Sequence, residues 1–178
     1  QEAEEHLHQA VKGLTQRNPN PYDGEAYYQL GLVNELQAKL GEAMKAYGKA
    51  AWNYEWKAAS QIAMARLHSR ENRFSQALEC LKQAQIGAGD ANTIYSMRAA
   101  ILRHEGETEE ARREAQKVLE YDPLDIWARF EARNEEPNGT QEKIDLALEL
   151  NACGFEDDAT QILSKEVNRH PIVNLMLG

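Results

Sequence analysis

The 178-residue chain has no apolar run near the roughly 18 residues that a membrane-spanning helix needs. It has two cysteines, Cys80 and Cys153, far apart and without a CxxC pair. Neither a disulfide framework nor a zinc site follows, and both read as small buried hydrophobes. Positive charge is scarce: 20 Lys plus Arg against 29 Asp plus Glu leave a net charge of −9. A duplex-nucleic-acid binder needs a cationic footprint, and so does a protein drawn to an anionic membrane surface. Neither partner is expected. HExxH, GxSxG and a phosphate-binding Gly-rich loop are all missing. The N-terminus, QEAEEHLHQ, is acidic and polar rather than a signal peptide. It lacks Met and the chain stops at Leu177-Gly178, which reads as a piece excised from a larger, cytoplasmic protein.

What is present supports a core: 42% of residues are hydrophobic and 28% charged. The remaining candidates for chemistry have plain readings. Gly87-Ala88-Gly89-Asp90 reads as a turn. His6 and His8, two apart, diverge on a helix instead of chelating. Glu109-Glu110 and Asp157-Asp158 fall at helix starts, where acids offset the helix dipole. Asn138-Gly139-Thr140 is a sequon with meaning only in a eukaryotic secretory route. The sequence therefore predicts no catalytic residue, no cofactor and no metal.

Self-similarity is the stronger signal. Segments beginning at Gly24, Ala58 and Asn92 align with a period of 34. Position 8 holds Gly31, Ala65 and Ala99, and position 20 holds Ala43, Ala77 and Ala111. Small residues there let two helices of one unit approach closely. Position 24 holds Tyr47, Leu81 and Ala115. Polar turns, Lys39-Leu40-Gly41, Arg70-Glu71-Asn72 and Glu105-Gly106-Glu107, separate the helices. A fourth unit begins at Thr140, with Leu146, Ala147, Ala159 and Leu163 in register. It is 48 residues after Asn92, so residues 126–139 form an insert, a short helix broken at Glu136-Pro137-Asn138-Gly139.

This pattern resembles the tetratricopeptide repeat (TPR) family, whose unit is a helix–turn–helix. The resemblance implies an all-α, right-handed solenoid of antiparallel helix pairs. The expected organisation is a single array: 1–20 as the second helix of a preceding unit, ended by Asn18-Pro19-Asn20-Pro21; regular repeats at 24–57, 58–91 and 92–125; the insert at 126–139; a fourth repeat at 140–171; and the start of a fifth at 172–178. TPR proteins bind partners on a concave face lined by the first helix of each unit. Here that places Tyr28, Leu32, Glu35, Ile62, Arg66, Arg70, Ser96, Arg103 and His104 on the expected groove. Its middle is basic, and arginine forks suit a carboxylate or an acidic peptide. The competing reading has these arginines solvated at helix ends and paired with Glu71 or Glu105. The carboxylate clamp of chaperone-tail TPR domains needs Lys and Asn where this chain has Tyr28 and Leu32, so that partner is not expected.

The phrases PYDGEAYYQLGL, KAAWNYEWKAA and DPLDIWARFEA resemble the TPR region of large bacterial multidomain proteins that also carry a mutarotase-like, carbohydrate-linked β-rich region. The leading expectation is a noncatalytic scaffold for protein–protein or interdomain contacts. The alternative is an accessory module of a carbohydrate-processing enzyme, with Trp52, Trp56 and Trp127 as an aromatic platform. Self-association through an uncapped array end is a further expectation. Against the platform, Trp52 and Trp56 bracket an inter-unit turn and Trp127 follows the corresponding turn. All three are expected first as packing wedges.

Overall fold

In the computed structural model, residues 2–16, 23–86, 91–164, 166 and 173 are described. They form ten helices and no strand: α1 (Glu2–Thr15), α2 (Glu25–Leu36), α3 (Leu40–Ala50), α4 (Tyr54–Arg70), α5 (Phe74–Ile86), α6 (Ala91–His104), α7 (Thr108–Leu119), α8 (Ile126–Arg133), α9 (Thr140–Ala152) and α10 (Glu156–Ser164). The expected stop at Asn18–Pro21, the glycine-rich turn at 87–90 and all of 172–178 except Val173 lie outside the described residues. Among those residues, no helix is long and apolar enough to cross a membrane.

Short polar side chains start several helices. Asp23 accepts the Glu25 N–H at 2.8 Å, Asn53 accepts that of Glu55 at 3.0 Å, and Asp125 accepts that of Ala128 at 2.8 Å. Four hairpin turns end their first helix on one left-handed residue: Ala38 (φ 58°), Asn72 (φ 55°), Gly106 (φ 86°) and Gly154 (φ 86°). These residues recur at intervals of 34, 34 and then 48. In three of the turns the next residue reaches back to a carbonyl five positions earlier: Lys39 to Asn34, Glu107 to Leu102 and Phe155 to Leu150, at 2.8–2.9 Å. This is the Schellman closure that satisfies the last helical carbonyls. One expectation needs correcting. The first of these turns is centred on Ala38, not on Lys39-Leu40-Gly41, and Gly41 lies inside α3.

The chain divides into two compact units, each taken by itself: residues 1–68 with 75–90, and residues 69–74 with 91–178. In the first, α2 and α3 pack where Gly31 faces Tyr47. A Cβ at Gly31 would lie 2.4 Å from the Tyr47 ring, so only glycine permits the approach. Tyr47 is fully buried with Ala43, Ala63 and Leu67. Its hydroxyl donates to Glu35 at 2.9 Å. Burial, then that carboxylate, raise the phenol's pKa. Helix α1 docks through Glu4, which accepts from Gln37 at 3.0 Å and Lys39 at 2.8 Å.

In the second unit the core holds Ile94, Met97, Ile101, Val118, Leu150, Ile162 and Leu163. The turn at the end of α4 belongs here. A Cβ on Gly154 would fall 2.7 Å from the Arg70 Cα. Cys153 is buried here; Cys80, in the first unit, is only partly so, and burial pushes its thiol pKa up.

Gly154 is thus constrained twice, by its φ and by the Arg70 backbone. Gly106 shares the φ but has nothing near its absent Cβ. Gly106→Ala should cost about 1–2 kcal/mol, the left-handed penalty alone. Gly154→Ala should cost at least about 1 kcal/mol more, the lower end of overpacking effects. Urea denaturation of both variants checks this, and equal costs would remove the Arg70 approach from the account.

Candidate functional site

The residues expected on a single groove fall in both units. In the first, Tyr28 and Leu32 are half-buried and pack against the Ala43–Tyr47–Ala63–Leu67 cluster, and Glu35 holds the Tyr47 hydroxyl. Ile62 and Arg66, on α4, are also half-buried. Those at α2 therefore serve the unit's own packing.

In the second unit, Arg70 donates from Nε to the Ala152 carbonyl at 3.1 Å. Arg103 sits in a charge cluster. Its Nε lies 2.7 Å from Glu131 Oε2, and its Nη2 lies 3.2 Å from Glu131 Oε1 and 2.6 Å from Asp158 Oδ2. The guanidinium also lies over the Phe130 ring, 5.5 Å from its centroid. His104 Nε2 is 2.9 Å from Asp158 Oδ2, and its ring stacks on Phe155 at 4.1 Å. Trp127 Nε1 donates to Glu131 at 3.2 Å. The cluster joins α6, α8 and α10.

Burial raises the pKa of Glu131 despite Arg103 beside it. Burial would also raise that of Asp158, but bonds from His104 and Arg103 outweigh it and hold the group below its ordinary value. Arg103 is firmly protonated, since the two carboxylates outweigh its own burial. Arg103 therefore does not offer the free charge expected of it at the groove. The Arg103 charge is used inside the protein, and its partners are Glu131 and Asp158 instead of Glu105. Sequence reasoning passed over Glu131. The one available signal was the i,i+4 spacing of Trp127 and Glu131 on a short helix.

The tryptophans divide as well. Trp52 is 71% exposed, with the Lys49 ammonium 5.3 Å from its ring centroid, so it is not the expected wedge. Trp56 packs on Tyr28 at 5.0 Å and against Gly24. Trp127 is 7% exposed and held by Glu131, so it presents no open face for a ligand platform.

A different feature is open. Between α6, α8 and α9 lies a cleft of about 420 Å³, lined by Thr93, Ser96, Asp125, Ile126, Trp127, Asp145, Leu146, Leu148 and Glu149. Its floor is apolar. Leu148 is half exposed, and the buried Ser96 Oγ has no hydrogen-bond partner. Of the expected groove residues, only Ser96 lines it. Two other clefts carry both charges. One, in the first unit, includes Lys39, Lys45, Glu4 and Glu42. The other lies beside the Arg103 cluster. Among the described residues, no three His, Cys, Asp or Glu side chains converge as a metal site would require.

Arg103→Met should destabilise the protein by about 3–5 kcal/mol at pH 7, because a buried carboxylate loses its counter-ion. Glu131 has a raised pKa in the fold, so its contribution is present below its unfolded value and lost as pH rises through the folded one. Without Arg103 that pKa rises further, and the deficit should shrink between pH 7 and pH 5. A deficit constant over that range, measured by denaturation, would mean that Glu131 is not the group left bare. Trp52→Ala should change stability by less than about 0.5 kcal/mol. Trp127→Ala should cost about 3–5 kcal/mol. Acrylamide should quench the Trp52 indole and spare that of Trp127.

No family model matches the sequence. Among solved structures, the chain is similar to YrrB, described as a TPR protein with an unusual peptide-binding site. The TM-score is 0.56 at 14% identity, over 93% of this chain and 96% of that one. At that identity the likeness concerns the fold: this chain has an all-α, TPR-like helical-repeat fold.

Proposed function

We propose that the chain is a noncatalytic scaffold that holds a protein segment in the α6–α8–α9 cleft. The partner is a separate protein or a neighbouring domain of the same chain. The observation that carries this reading is the cleft itself: an open apolar floor on which Leu148 is half exposed. Covering exposed apolar surface is favourable, and an entering side chain does so at Leu148. The peptide-binding description of YrrB supports the same class of function. So does the likeness of PYDGEAYYQLGL and DPLDIWARFEA to arrays that sit beside other domains.

Trp52 does not carry a sugar-binding reading by itself. Its neighbour Trp56 is half-buried against Tyr28, and Lys49 lies over its own ring.

A photo-crosslinking residue at position 148, whose leucine is 50% exposed, reads the cleft directly. Crosslinks to a partner segment or a flanking domain should appear and be lost in the presence of excess partner. Leu148→Arg should abolish the contact while changing stability by less than about 0.5 kcal/mol. Binding that survives Leu148→Arg undiminished would place the partner elsewhere on the chain.

A further inference from the structure

Asn138 and Gly139 lie in the link between α8 and α9, just ahead of Thr140. Of the asparagines in the sequence, Asn138 alone precedes a glycine. Both residues are exposed. Among the described residues, no hydrogen bond holds the Asn138 side-chain amide or the Gly139 N–H. Neither backbone nor packing restricts position 139 to glycine. Its φ of −90° and ψ of 145° suit any residue, and the nearest neighbours of a Cβ there would be atoms of Glu142 at 3.8–3.9 Å. Asp23-Gly24 is the opposite case. The Asp23 carboxylate accepts the Glu25 N–H at 2.8 Å, and Gly24 is buried, with the Ala50 carbonyl 3.0 Å from where a Cβ would lie.

We infer that Asn138 is a site of spontaneous deamidation. The Gly139 nitrogen, with no side chain beside it, attacks Asn138 Cγ. The N–Cγ bond forms, the Cγ–Nδ2 bond breaks, and the amide proton leaves with the Nδ2 group as ammonia. Water then opens the five-membered imide, and no atom is oxidised or reduced. Breaking the N–Cγ bond gives aspartate. Breaking the bond to the main-chain carbonyl gives isoaspartate, in which the chain runs through Cβ and Cγ. Glycosylation at the same asparagine would need a secretory route, whereas deamidation needs only water. Each product sets a carboxylate just before the Gly139 cap of α9, where negative charge favours the helix dipole. The isoaspartate also adds one carbon to a link held on both sides. Pro137 is buried before it, and after it Thr140 Oγ1 donates to Glu166 at 3.1 Å.

The test ages the whole chain at mildly alkaline pH beside a blocked peptide of residues 136–141. Ammonia release and peptide mapping that separates aspartate from isoaspartate follow the conversion. Both products should accumulate at residue 138, faster as the pH is raised, at a rate within about tenfold of the free peptide's, as expected of a link that opens at little cost. Gly139→Ala should slow the conversion at least about tenfold, with helicity by circular dichroism intact. A folded chain still carrying asparagine at 138 after the peptide has converted would overturn the proposal. Conversion that Gly139→Ala does not slow would overturn it as well.

Discussion

The Glu131 carboxylate has no exposed surface, and Arg103 and Trp127 both donate to it. A bare charge in that position is among the most costly things a fold can contain. Helix α8 must therefore lie where the Arg103 fork can reach, 28 residues away in sequence. That one requirement sets the wall of the cleft. Asp125, Ile126 and Trp127 are the cap and first turn of the helix that Glu131 anchors. On the other side of Arg103, Asp158 extends the same cross-link to α10. The ends of the inserted segment are held too. Asn134 closes α8 in a left-handed conformation, and Arg129 pairs with Glu135 beyond it.

A buried ion pair is a poor source of net stability, because the desolvation of both ions nearly offsets their attraction. What it supplies is register. An apolar residue in place of Glu131 would pack in several ways, whereas a carboxylate under a bidentate guanidinium has one geometry. The arrangement also commits the Arg103 charge on α6 to the interior of the unit.

Much of the architecture was legible because packing needs small residues at fixed spacing. Gly31 is the only residue type that admits the Tyr47 ring, and Ala65, Ala77, Ala99, Ala111 and Ala147 repeat that economy of volume at full burial. Turn chemistry was legible at Asn72 and Gly106, residues that tolerate a left-handed backbone. It was missed at Ala38, which carries no such signal and is held there by the closure onto Asn34. The partners of Arg103 were missed for a different reason. A helix start rich in acid looks like dipole compensation, and nothing local in Glu131 or Asp158 shows that each faces Arg103 from 28 and 55 residues away. The tryptophans show the same limit. Trp52 and Trp127 both stand near inter-unit turns, yet one is 71% exposed and the other 7%. Residue type states that a ring should be covered, but not by what.

The site therefore arises from the break in the repeat, not from the repeat. A regular 34-residue unit places a hairpin against a hairpin and fills the space between them with its own side chains. Residues 126–139 interrupt that order with one eight-residue helix, α8. Too short to be stable alone, it depends on its buried face for its position. Trp127, Ala128 and Glu131 form that face. The N-terminal end of the helix then stands over α9, with Asp125 committed to its cap. Ser96, expected at a groove position of α6, stays buried without a partner of its own. The cleft beside α8 is what this interruption adds to the array.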